Sequence, residues 1–518
     1  MSSLVITGLV TTLDGPKGHT PKKATVWIRE GLIAAVTAPT AVVVGFDQVP
    51  RVDVGNAFIL PGFTDLHNHV GYHLLGLWSE STRSDPWKHN GHWPNAASYQ
   101  ERVTWPAACW STATPEALLA YIQVRALAGG TTSQQGWPTA SKRVARALRN
   151  IDADGGFPGR TDPIETSVGA LKVGPLTVRG QRMAQGIGFV YHCAEGQPES
   201  VVTSQFDDAK LAGVLAKTFI GVHCCGVTAG QWKKWSKESA GAIAWSPFSN
   251  YWLYGITTNI PAAAAQGVAI CLGSDWGPSG TKNLLGELKV AKLASTDTRN
   301  GKAAFGLTDD DLLDMITVNP GTAVGRCWNC AMGRIVPGAL ADLTVIRKHG
   351  AKPVATQVVQ AKESDVALVV IGGVPRYGTD ALMKQAAATD TFSVPVGTET
   401  RVVSLPPRPA SAHMPHRWTW DGILAELQTV IDDPEGTVTA ARARRNAFAG
   451  RVDDADAPLI LTLDMPGGSN SAVAGVPSDF TKVEFGPIPS LIHDDAFFDA
   501  VESAGFQGKL FHPLRGMF

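Results

Sequence analysis

Four apolar segments of this chain each run directly into a histidine or an aspartate, and no other feature constrains its fold so tightly. They are Leu60-Pro-Gly-Phe-Thr-Asp-Leu-His67-Asn68-His69, Gly188-Phe-Val-Tyr-His192, Phe219-Ile-Gly-Val-His223 and Ala269-Ile-Cys-Leu-Gly-Ser-Asp275. Residues i and i+2 of an extended strand share a face, so His67 and His69 can grip one metal ion. A lone His-x-His is weak evidence, because such pairs often sit on a surface. Four buried strands that all terminate in potential ligands instead point to a single centre.

The organisation along the chain supports that reading. The first sixty residues alternate short β-rich pieces with turn clusters such as Asp14-Gly-Pro-Lys-Gly18, the pattern of a small antiparallel sheet. From about Pro61 apolar strands alternate with alanine-rich helical stretches, which implies parallel strands with helices outside. The span 62–330 has the size of an eight-unit (β/α) barrel, typically about 250 residues, whose active sites form where the strands end. The expected fold class is therefore α/β, a (β/α)8 TIM-like barrel. His67 and His69 follow strand 1, Gly130 to Gln134 form strand 2, and His192, His223, Ala242 to Trp245 and Asp275 mark strands 5 to 8. Strands 3 and 4 must fall between 137 and 186, where no apolar run fixes them. Segments 1–61 and 331–380 are expected to share a small β-sandwich domain. Residues 381–518 form a C-terminal extension of unassigned role, with a proline-rich linker at Leu405-Pro-Pro-Arg-Pro409 and an aromatic end.

Composition narrows the function classes. With 518 residues and 44% hydrophobic content the chain can bury a large core. Its 45 basic and 46 acidic residues nearly cancel, so neither a nucleic acid nor an anionic membrane is expected as a partner. The arginines near 445 read as a solvated helix face. The N-terminus lacks a basic, apolar leader and no segment is apolar for long enough to span a bilayer, so a cytoplasmic location is expected. Seven scattered cysteines do not form a disulfide framework, and Cys327-Trp-Asn-Cys330, with no second pair nearby, reads as a turn rather than a zinc knuckle.

Over residues 1–380 the chain resembles the metal-dependent amidohydrolase superfamily, in the branch of cytosine deaminase, guanine deaminase and the triazine hydrolases. The resemblance is carried by Pro-Gly-Phe-Thr-Asp-Leu-His67-Asn-His69, Gly129-Gly-Thr-Thr132, His192-Cys-Ala-Glu195-Gly, Ser246-Pro-Phe-Ser249-Asn250, Leu272-Gly-Ser-Asp275-Trp276, and Asn319-Pro with Gly338-Ala-Leu-Ala-Asp342-Leu. It implies one divalent metal held by His67, His69, His192 and Asp275, with His223 beside it and Glu195 as proton shuttle. Zinc is the expected ion, although imidazole and carboxylate ligands also accommodate Fe(II) and Mn. Some superfamily members bridge two metals with a carboxylated lysine on strand 4, and Lys172 falls near that position. The presence of Glu195 favours the mononuclear arrangement.

Independently of any family, a divalent ion bound by neutral imidazoles and a carboxylate lowers the pKa of its water toward neutrality. Asp275 can take the water's proton as it attacks an sp2 carbon, Glu195 can protonate a ring nitrogen or leaving group, and His223 can stabilise the charge that builds. Plainer readings stay open: His223 as a packed core histidine, Glu195 as a supporting ion pair, Ser249 and Asn250 as a turn. The tryptophan-rich segment from Trp78 to Trp110 is either a wall for a flat substrate or a hydrophobic cluster under a long loop. Trp93, Ser249, Asn250 and Trp276 are the expected substrate contacts, and His89 with His92 offers a second, weaker metal candidate.

The expected activity is hydrolysis of a C–N bond in a small cyclic or heteroaromatic substrate, with ammonia or an amine released. The alternative is cleavage of a cyclic or linear amide, or displacement of another leaving group, by the same site. A non-catalytic scaffold is the third possibility, and the complete ligand set argues against it. Small molecule and water are the expected partners, in a homo-oligomer.

Overall fold

Strand β4, Arg51–Pro61, ends in Phe58-Ile-Leu-Pro, and its period-two alternation divides the molecule. Phe58 and Leu60 face one apolar core, while Ile59 faces another that it shares with Ile6, Val26, Ile28, Leu343 and Val345. Around β4 lie β1 (Leu4–Val10), β2 (Lys22–Arg29) and β3 (Leu32–Thr37). The computed structural model describes residues 3–81, 83–138, 146–152, 156–161, 163–298, 304–408, 417–447, 459, 461–464, 477, 479–492, 494–505 and 509–518.

Beyond β4 the chain leaves this sheet for eight short parallel strands: β5 (Phe63–Asp65), β6 (Thr131–Gln134), β7 (Arg149–Asn150), β8 (Ile164–Ser167), β9 (Gly188–Cys193), β10 (Phe219–His223), β11 (Ala242–Trp245) and β12 (Ala269–Leu272). They pair in chain order as a three-stranded and a five-stranded arc. The first and last strands meet where Leu66 N donates to Leu272 O at 3.2 Å and Asn68 bridges Asp275. Helices such as Pro115–Ala128 and Val173–Ala184 intervene, giving an arrangement of the TIM-barrel type. Strands 3 and 4 are thus β7 and β8, within the interval their absence from the periodicity left open. Lys172 lies beyond β8 as the exposed N-cap of the helix Val173–Ala184, so the carboxylated-lysine alternative loses its strand position.

The chain then returns to the first sheet with β13 (Leu343–Ile346), β14 (Val366–Ile371), β15 (Val374–Gly378), β16 (Thr391–Val396) and β17 (Glu399–Ser404). Because β4 pairs with β1 on one side and β13 on the other, hydrogen bonds join these strands into one nine-stranded sheet where a sandwich was expected. The β16–β17 hairpin, read from sequence as part of the extension, forms its edge. Asp342 clamps Arg149 of β7 through a buried two-pronged contact, 2.6 Å to Nε and 2.9 Å to Nη2, and so ties the sheet to the parallel strands.

Two helices of the extension lie against earlier helices. Trp420–Asp432 packs on Pro115–Ala128, with Trp420 stacked on Tyr121 and Trp110 Nε1 donating to Leu427 O at 3.0 Å. Pro434–Ala447 buries Val438 and Ala441 and leaves Arg444 and Arg445 in solvent, the solvated face read from sequence. Among the described residues no helix is long and apolar enough to cross a membrane.

Candidate active site

The parallel strands deliver their terminal side chains to one point. On β9 Val190 lies in the inner apolar cluster with Ile220, Val222 and Cys271, and His192, two residues on, keeps the same inward face. Alternation alone would turn His223 outward after Val222. His223 instead has φ 59°, a left-handed conformation that breaks the pleat and brings the imidazole in. Asp275 repeats the device with φ 61°, and its carbonyl accepts from His73 Nε2 at 2.9 Å. Such backbone costs about 1–3 kcal/mol per residue and persists where surrounding structure enforces it, characteristically at functional sites. Gly273 permits the approach of β12 to strand 1: a Cβ there would lie 2.5 Å from the His67 Cβ.

His67, His69, His192, His223 and Asp275 are all buried and adjacent. The His67 ring centroid lies 4.8 Å from that of His69, 4.7 Å from His192 and 5.1 Å from His223. Asp275 Oδ1 is 3.2 Å from His67 Nε2 and 3.7 Å from His69 Nε2, and Asp275 Oδ2 is 3.7 Å from His223 Nε2. Three rings are held through Nδ1. Gln135 Oε1 accepts from His67 at 3.3 Å, Asp464 Oδ2 from His69 at 2.9 Å, and Asn250 Oδ1 from His223 at 3.0 Å. Carboxylate and amide oxygens only accept, so each Nδ1 carries a proton, and wherever the ring is neutral its Nε2 presents a lone pair. His67 Nε2 and His192 Nε2 are buried without a hydrogen-bond partner among the described residues. Orphaned bases beside a carboxylate are what a divalent cation requires, and two triplets that share His67 have ligand atoms within 4.8 Å of one another: His67, His192 and His223, and His67, His69 and Asp275.

The electrostatics agree for three of the four histidines, while His69 is a base whose second proton an incoming cation would have to displace. Burial lowers the pKa of His67, His192 and His223, keeping them neutral bases, and neighbouring imidazoles lower His192 further. Burial opposes ionisation of Asp275, but the surrounding histidines, His67 foremost, outweigh it and hold the carboxyl below its ordinary range. For His69, burial is outweighed by Asp464 and then Asp275, which raise it to about 9. Glu195 is pushed up to about 7, chiefly by burial, against the hydrogen bonds it accepts from Tyr254 and Asn90. A carboxyl near neutrality, 3.7 Å from His223 Nε2, can give or take a proton at physiological pH.

The expected substrate contacts line the far side of this centre as a packed wall. Tyr254 donates to Glu195 Oε1 at 2.6 Å and itself accepts from Trp93 Nε1 at 3.1 Å, so Trp93 reaches Glu195 through Tyr254. Asn250 is engaged by His223 and by the hydroxyls of Thr257 and Thr258. Ser249 Oγ meets Ser279 Oγ at 2.9 Å, and Trp276, which packs on Tyr72, Trp93 and Tyr99, also donates to Ser279. Trp78, Trp93 and Trp110 belong to the main apolar core. His89 and His92 lie with ring centroids 3.9 Å apart, tilted by 45°, and join no metal-compatible group among the described residues. An open cavity of about 470 Å³ lies instead beside His192, lined by Gln135, Trp137, Asp152, Thr166 and Asp464.

Sequence reasoning missed several participants. Gln135 directly follows β6 and could have been found by the strand-end rule, as could Asp65, whose buried carboxyl accepts from Ser274 Oγ at 2.6 Å and Asn68 Nδ2 at 3.1 Å. Asn90, which donates to Glu195 Oε2 at 2.9 Å, and Asp464 carried no local signal.

Comparison with known proteins gives the following likenesses. Residues 182–376 match the amidohydrolase family model. A 5-methylthioadenosine/S-adenosylhomocysteine deaminase of Syntrophobacter fumaroxidans is 25% identical over 418 residues, covering 71% of this chain and 91% of the relative. An adenosine deaminase from Xanthomonas campestris with bound zinc superposes with a TM-score of 0.57 at 16% identity, covering 84% of this chain and 99% of the other. Guanine deaminase from C. acetobutylicum, with guanine in its active site, gives 0.55 at 15% identity over 72% of this chain and 99% of the other.

Proposed function

Because the chain carries an amidohydrolase family domain, we propose that it is a metal-dependent hydrolase that removes an amino group from a small nitrogen heterocycle. The observation that supports this most is the approach of both Asp275 and Glu195 to His223 Nε2, each 3.7 Å from it. Two carboxyls whose surroundings drive their pKa values apart divide acid and base work between them. His67, His69, His192 and Asp275 would hold one divalent ion, zinc in this reading, with His223 beside it. Such an ion supplies Lewis acidity that brings the pKa of its water near neutrality.

In this reading Asp275, ionised, takes the proton of the attacking water. Glu195, protonated near neutrality, delivers a proton to the ring nitrogen or the departing amine. Tyr254 and Asn90 keep its carboxyl oriented. His223, its Nδ1 proton given to Asn250, presents the Nε2 lone pair and would accept from the attacking water to orient it, in place of the charge-stabilising role expected from sequence. Substrate enters from the cavity beside His192, whose volume of about 470 Å³ suits a small ligand and whose Asp152 and Gln135 suit its N–H and O–H groups.

The test is ammonia release from zinc-loaded protein across aminated purines, pyrimidines and triazines, against a parallel set of cyclic and linear amides. We expect turnover of at least one aminated heterocycle, and a fall of about 10²–10⁴-fold in kcat for Glu195→Gln with zinc still bound. Turnover of amides alone would move the assignment to amide hydrolysis by the same site. Metal analysis is expected to give one equivalent per chain, and two would overturn the mononuclear arrangement.

A further inference from the structure

Asp464 stands 395 residues from His69 in the chain, yet its Oδ2 accepts the His69 Nδ1 proton at 2.9 Å. The segment that carries it is built to arrive there. Leu459, Leu461 and Leu463 alternate inward and are buried, Leu461 N donates to Ser111 O at 3.1 Å, and Leu463 presses on Gly71, where a Cβ would lie 2.8 Å from Leu463 Cδ2. Gly71 belongs to the same turn as His69, so the segment sits on the loop whose histidine it contacts. The other two imidazoles held through Nδ1 bond to neutral amides, Gln135 and Asn250; His69 alone among them is held by a carboxylate.

We propose that Asp464 is a positioning residue of the metal centre, so that the C-terminal extension completes a site the parallel strands alone leave unfinished. This rests on the metal-dependent reading above. A carboxylate behind a ligating imidazole fixes its tautomer and orientation and increases its basicity toward the ion, an effect worth about 10–100-fold in metal affinity. Because linkage is reciprocal, an ion at the centre also holds the extension in place.

Zinc affinity is measured by chelator competition for the wild type, Asp464→Asn, Asp464→Glu and Leu463→Ala, with hydrogen exchange followed over 459–464. Asp464→Asn keeps the shape of a partly exposed side chain and removes its charge. It is expected to weaken zinc binding about 10–100-fold, and Asp464→Glu to recover part of the loss. Leu463→Ala, which loosens the segment and leaves the carboxylate, should weaken zinc binding too and carries the test should Asp464→Asn fail to fold. Zinc should slow exchange in 459–464 of the wild type and not of Asp464→Asn. Equal zinc affinity in wild type and Asp464→Asn overturns the proposal alone. A wild type that binds no zinc overturns it together with the hydrolase reading.

Discussion

At the scale of single residues, the site depends on which protonation state each buried group is held in. Glu195 is the group poised near neutrality, and Tyr254 tunes it: the phenol donates at 2.6 Å to the charged form and so draws the pKa down against burial. As a proton donor Glu195 must be protonated, so activity should fall as pH rises through its pKa. Tyr254→Phe removes the stabilising donor, raises that pKa, and should displace the basic limb of kcat/KM to higher pH. A nearby cation lowers the limb in both proteins alike, so the difference between the two profiles is the quantity to read. A limb that stays put or moves down would remove Tyr254 from the acid's surroundings.

Elements bring their own titrating group. Glu287, on the helix Leu284–Ser295, is fully buried; it accepts from Phe248 N at 3.0 Å, at the start of the helix Pro247–Tyr254, and contacts Thr281 Oγ1 at 2.6 Å. Burial raises its pKa from 4.5 to about 8, against these hydrogen bonds. The folded pKa exceeds the unfolded one, so the acid's contribution to stability is complete below pH 4.5 and is lost as pH rises through about 8. The loss should run at about 1.4 kcal/mol per pH unit within that window. Glu287→Gln can keep both contacts, with Oε1 accepting from Phe248 N and Nε2 donating to Thr281 Oγ1. Its unfolding temperature should therefore match the wild type near pH 5 and exceed it at pH 9, checked by thermal melts across that range. Identical pH dependence in the two proteins would contradict a neutral Glu287.

For the whole molecule, the centre links the turn after β5, the ends of β9, β10 and β12, and the extension. Zinc at about 1,000 times its Kd should add about 4 kcal/mol to the stability of the assembled state. Hydrogen exchange should show where: slower with zinc at 64–69, 188–195, 219–225 and 269–276, and little changed in β1–β3, which face a separate core. Uniform protection of the whole chain, or none, would argue against a centre located at the strand ends.

Sequence by itself determined the parts of this protein that are local. Apolar runs with strand periodicity ending in His67, His192, His223 and Asp275 carry both the parallel architecture and its chemistry, because burial pattern and side-chain type are written in consecutive residues. Strands β7 and β8 escaped, since Arg149-Asn150 and Ile164-Glu-Thr-Ser167 are short and polar and produce no such run. Tertiary structure alone decided the rest. It sent the tryptophans at 78, 93 and 110 into the core, turned Asn250 toward His223, set Tyr254 and Asn90 on Glu195, and brought Asp464 to His69. Those contacts join distant stretches of chain, and only the packing of the folded molecule fixes which of the many available partners each polar group meets.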